Sequence, residues 1–160
     1  MTAAHLHLIL NHLQVLGTAF GLGLSLFGLW RRSDELKTTA LGVFVIVALA
    51  AVPVFLTGEP AEEEVELIPG VSKPVIEQHE AAAGAPLTGV VVPGVAALAG
   101  LIFFHRGRLL PAWYSVSLFA ASLIVSGLMA WPANLGGQVR HTEIRPRTSL
   151  SNPNPAAHHN

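Results

Sequence analysis

Five side chains in this sequence have the types and placing to hold a metal or a cofactor: His12, Glu59, His79, Glu80 and His141. Two imidazoles on facing helices can grip a haem iron from both sides, and the flat ring needs small residues beside it. His12 and His79 are the pair for that chemistry, as axial ligands of haem b, because "AAAGA" after His79 leaves open volume next to its ring. Glu59, Glu80 and His141 would surround or cap such a site. The alternative is non-haem iron, zinc or copper held by imidazole and carboxylate groups drawn from His12, His79, Glu80, Glu59 and His141. Helix bundles that bind two irons take Glu from two helices and Glu-x-x-His from two more. Here "EQHE" (77–80) lacks that spacing and has no second copy. No serine–histidine, phosphate-loop or His-Glu-x-x-His pattern is present, so no catalytic residue is assigned. Each imidazole also has a plainer role open to it, as a neutral group hydrogen-bonded to a neighbouring carbonyl or carboxylate and holding helices together.

The elements that must position these groups are membrane helices. Of the 160 residues, 51% are hydrophobic and only 12% charged, about half the charge of an ordinary soluble domain, and the mean hydropathy is +0.53. Four apolar stretches run from Leu6 to Trp30, Thr38 to Leu56, Ala81 to Phe104 and Ala112 to Trp131, each free of Asp, Glu, Lys and Arg. Each has the roughly 20 residues that a helix needs to cross about 30 Å of hydrocarbon. Trp30, Trp113, Tyr114 and Trp131 sit at stretch ends, where amphipathic rings favour the headgroup level. The first stretch has no basic residue ahead of it and is too long for a signal-peptide core, so it reads as a retained helix. The pattern predicts an all-α fold, a four-transmembrane-helix up-and-down antiparallel bundle over 1–143, followed by a polar tail at 144–160. A net charge of −1 and the lack of a basic stripe exclude nucleic acid as a partner. The absence of cysteine excludes disulfides, zinc ribbons, iron–sulfur clusters, thiol catalysis and covalent haem attachment.

The connections suggest an orientation. Arg31–Lys37 and His105–Pro111 are short and basic, whereas Thr57–Glu80 reads as one long acidic loop. The positive-inside rule puts the two basic connections in the cytoplasm, and the acidic loop and both termini outside. His5, His7, His12, Glu59, His79, Glu80, His141 and Glu143 then collect at the outer end, leaving His105 at the other. On a 3.6-residue period His12 shares a face with Ala19 and Gly23, a smooth surface that predicts an inward direction. Pro86, Pro93 and Gly94 predict that the third helix bends or breaks. Arg140, Arg145 and Arg147 are available as salt-bridge partners for the acidic loop.

The stretches "LNHLQVLG", "LTGEPAEE", "IEQHEAA" and "GGQVRHTEI" resemble a group of uncharacterised bacterial four-helix membrane proteins. In these, one His lies early in the first helix and another at the start of the third. The resemblance spans Leu6 to Ile144. It implies the bacterial inner (plasma) membrane and a redox setting, since members of related families sometimes accompany cytochromes. Three functions are therefore open. One is a haem-binding electron-transfer protein and another a non-haem metal protein. The third is a cofactor-free accessory subunit of a respiratory or photosynthetic complex, with Gly17/Gly21 and Ala19/Gly23 packed on partner helices.

Overall fold

A computed structural model describes residues 2–104, 109–141 and 144–145. Its elements are four helices: α1 (Ala3–Arg31), α2 (Asp34–Glu66), α3 (Lys73–Phe103) and α4 (Ala112–Arg140). Local chemistry sets their ends. The Thr2 hydroxyl accepts the His5 N–H at the start of α1, and Arg32 closes that helix in the left-handed conformation. Ser33 accepts the Leu36 N–H, and Asp34 and Glu35 occupy the first turn of α2, where a helix favours negative charge. Pro74 opens α3 and Pro111 precedes α4, positions at which a missing N–H costs nothing. All four helices are long and apolar enough to cross a membrane. Among the described residues there is no strand. His105, Arg106, Arg108, Glu143, Arg147 and most of the tail lie outside the described residues.

The acidic segment differs from its expected form as a loop. α2 has 33 residues, a length of about 50 Å at 1.5 Å per residue, so it outruns a hydrocarbon core of about 30 Å. Its last turns carry Glu59, Glu62, Glu63, Glu64 and Glu66, while Glu77 and Glu80 belong to α3. The connection itself is "LIPGVS" (67–72) and holds no acid. The physical reason is propensity: Ala and Glu are strong helix formers, buried Ala61 docks the extension, and Pro69 with Gly70 at φ +83 ends it. α3 runs unbroken through Pro86 and Pro93, so the break expected there as one possibility is absent; both prolines are buried.

α1 packs on α2, α2 on α3, α3 on α4, and α4 back on α1. Contacts at the ends show which termini meet. The start of α1 touches the end of α2 through Glu64. The start of α3 meets the end of α4 through His79 and Pro132. Near the opposite ends, Tyr114 of α4 donates to the Ala96 carbonyl of α3.

The packing is inside-out relative to a soluble bundle. Large apolar side chains face outward, including Trp30 at 74% exposure and Phe55 at 72%, as lipid contact requires. The core is modest. Ala40, Leu41, Phe44, Ala97, Leu110 and Leu118 form one cluster, and Val47, Ala51, Val90, Val125 and Met129 a second. α2 supplies the largest share, five of these eleven residues. The buried residues of α1 are Gln14, Thr18, Gly21, Ser25 and Gly28, three polar side chains and two glycines. Close approach between helices depends on missing side chains: a Cβ at Gly94 would lie 2.1 Å from the Ala48 Cβ.

Candidate functional site

Two histidines tie helices together at one end of the bundle. His7, half-buried on α1, lies 3.0 Å from the Thr57 Oγ1 of α2 through Nδ1. The Thr57 hydroxyl gives its own proton to the Pro53 carbonyl at 2.7 Å, so His7 Nδ1–H is the donor. His79 Nδ1–H donates to the Pro132 carbonyl of α4 at 2.8 Å. Its ring lies against Gly136, where a Cβ would come within 3.2 Å of Cε1. Nearby, the Glu64 carboxylate caps α1 from another helix, accepting the N–H of Ala3 at 3.0 Å and of Ala4 at 2.9 Å. Glu64 stands eight residues past the apolar run that ends at Leu56. The amides of Ala4 and Ala3 hold its carboxyl below the usual carboxylate range.

The residues expected to form the site are placed as follows. His12 is exposed, and its Nδ1–H turns back to the Leu8 carbonyl of its own helix at 2.8 Å. The expected inward direction is therefore reversed: Ala19 and Gly23 are exposed with it, and Gly23 has nothing within 4 Å of where a Cβ would stand. The cause is that Gln14, Thr18 and Ser25 lie on another face and must leave the lipid, so they fix the rotation of α1. Glu59 and Glu80 are exposed. His141 is exposed just past α4, where its N–H bonds to the Gly137 carbonyl. His79 alone of the five is partly enclosed. The small run after it turns largely outward, with Ala81, Gly84 and Ala85 exposed. Among the described residues, no group of three or more His, Cys, Asp or Glu side chains is arranged to hold a metal ion.

Arg145 does hold the start of the tail down, though through carbonyls. Its guanidinium donates to Gln138 O at 2.8 Å, Val139 O at 2.9 Å and Gly70 O at 3.2 Å, covering the orphan acceptors at the end of α4.

Sequence reasoning missed His7, Glu64 and a second polar group at the other end of the bundle. There Lys37 is buried at 9% exposure and paired with Asp34 at 2.5 Å. It shares a small cavity with Ser25 and Ser115. The signal was present in α1. Positions 7, 14, 18, 21, 25 and 28 are His, Gln, Thr, Gly, Ser and Gly, a heptad-like stripe without one apolar side chain in a largely apolar helix. Comparison with known proteins finds no matching family model, no matching curated protein and no matching solved structure.

Proposed function

We propose that this chain is a multi-pass protein of the bacterial inner (plasma) membrane, an up-and-down antiparallel bundle with both termini outside the cytoplasm. Its role in this reading is that of an accessory subunit in a larger respiratory or photosynthetic complex. The partner chemistry is apolar helix surface within the lipid bilayer, with a cytochrome-bearing subunit as the kind of partner that the resemblance implies. Support for the architecture comes from the end-to-end contacts of neighbouring helices and from three short connections, which favour antiparallel neighbours. The basic residues Arg31 and Arg32 at the α1–α2 turn support the orientation.

The observation that carries the accessory role is the outward lane of Ala19 and Gly23. Glycines 17 and 21 are already filled by Val47 and Phe44 of α2, so they serve the bundle itself. Gly23 is open and stands four residues from exposed Ala19, beside exposed Phe20 and Phe27. That is the small-xxx-small surface on which membrane helices associate closely. The imidazoles fit this role as interhelical ties. The test is purification from native membranes in mild detergent. The expected result is co-migration with a complex showing cytochrome or photopigment absorption, and release from it in Gly23→Leu. A colourless chain that migrates alone in both forms would end this reading.

One observation favours a second reading, in which the chain binds haem b or a non-haem iron, zinc or copper ion. With Nδ1–H committed to the Pro132 carbonyl, His79 keeps the Nε2 lone pair, the arrangement in which histidine ligates metals. An absorption spectrum and elemental analysis of the purified chain decide it: a Soret band or bound metal that disappears in His79→Ala supports ligation.

A further inference from the structure

The polar face of α1 continues inward from the histidine end and meets a second polar face on α4. On α4, Ser115 and Ser122 are buried at 5% and 1% exposure. Ser25 and Ser115 line one cavity with Lys37, walled by Phe44 and Leu118. At the far end His79 of α3 binds the Pro132 carbonyl of α4.

Two sets of helix hydroxyls behave differently. Thr18, Thr39, Thr57 and Thr88 each donate to the carbonyl four residues back in their own helix. Such back-bonding is the ordinary solution for a hydroxyl in a membrane helix. Ser115 and Ser122 are deeply buried and have no hydrogen-bond partner among the described residues. A buried hydroxyl left unpaired is costly, and a polar cavity beside it is where proteins hold internal water. The space beside Ser115 has a volume of about 10 Å³, close to the lower limit for one water molecule.

We propose that the cavity between Ser25, Lys37 and Ser115 is a binding site for a single water molecule. The water accepts from or donates to the Ser115 hydroxyl and bridges it to Ser25 and to the Lys37 ammonium. It thereby links α1, α2 and α4 at the end of the bundle opposite the histidines. The donors there, an ammonium and two hydroxyls, are also suited to a small anion. Size and charge decide for water: the space is too small for a halide ion, and Asp34 already neutralises Lys37.

The test is water-edited solid-state NMR on the full chain in phospholipid bilayers, reading magnetisation transfer from water to the Cβ of Ser25 and Ser115 and the Cε of Lys37. The expected result is transfer at all three carbons, retained when chloride is replaced by bromide. Ser115→Val, which fills the space, is expected to abolish transfer to Ser25. Ser115→Ala, which removes only the hydroxyl, keeps the fold and weakens that transfer. Far-UV circular dichroism checks that both variants are helical. No transfer at Ser25 and Ser115 in the wild-type chain overturns the proposal. So does a bromide-dependent shift at Ser115, which would assign the site to an anion, or transfer to Ser25 that persists in a helical Ser115→Val.

Discussion

Replacing Gly94 with alanine tests the packing directly, because the obstruction there cannot move aside. The new Cβ would lie 2.1 Å from the Ala48 Cβ, 3.3 Å from the Phe44 carbonyl oxygen and 3.5 Å from the Ala48 Cα. Carbon atoms pack best at about 3.5–4.0 Å, so α2 and α3 must separate by roughly 1.5 Å at this level. A Cβ and a backbone carbonyl have no rotamer to adopt, which places the cost at the upper end of overpacking, about 3 kcal/mol. Alanine's better helix propensity returns about 1 kcal/mol. The expected net loss is about 2 kcal/mol, or a Tm roughly 4–8 °C lower by the scaling for chains of this size. Gly21→Ala is the graded comparison, since its Cβ meets only the ring edge of Phe44 at 2.7 Å and the ring can turn. Gly23→Ala is the open-space control and is expected to match the wild type or exceed it. Thermal unfolding in detergent, followed by circular dichroism, ranks the three. A Gly94→Ala chain that melts at or above the wild-type temperature would refute the packing of α2 on α3.

Three further outcomes are expected. His79→Phe keeps a ring on Gly136 but loses the donor to Pro132, and should lower unfolding stability by about 1 kcal/mol, whereas His12→Phe, on the outer surface, should leave it unchanged. Tyr114→Phe removes the hydroxyl that donates to the Ala96 carbonyl and should cost about 1 kcal/mol, read as a lower midpoint in the same melts. Glu64 is held below the usual carboxylate range by the amides of Ala4 and Ala3, so its contribution is full above the unfolded-state value and is lost as pH falls through the lower folded value. Amide exchange protection at Ala3 and Ala4 should therefore be constant from neutral pH to about 4.5 and decline only below it, and Glu64→Gln should abolish that decline.

The four crossings were legible because an apolar run of about 20 residues is the strongest pattern a sequence carries. The rotation of α1 was harder to read. Small residues occur on two of its faces, at 17 and 21 and at 19 and 23, and size alone does not say which one meets a neighbour. The polar side chains do, since Gln14, Thr18 and Ser25 cannot remain in lipid, and weighing them first would have placed His7 inside and His12 outside. The acidic segment was misjudged because its charge suggests solvent, whereas solvent and helix are compatible once a helix extends past the membrane. Lys37 was read as part of a basic loop; its burial goes with the close packing at Gly28, where an added Cβ would come within 3.0 Å of the Lys37 backbone nitrogen, a tertiary fact with no local signature. The histidine ties are likewise tertiary. Pro132 offers its carbonyl to His79 only because α3 and α4 are already side by side.

The carboxylate clasp between Glu64 and the first amides of α1 also bears on how the chain enters the membrane. Those amides gain their partner from a residue more than sixty positions downstream, near the close of the second crossing. Until that segment has emerged on the same side, the leading turn has no acceptor from its own chain beyond what Thr2 supplies. The first two crossings thus finish one another, each leaving the other's end incomplete until both are in place.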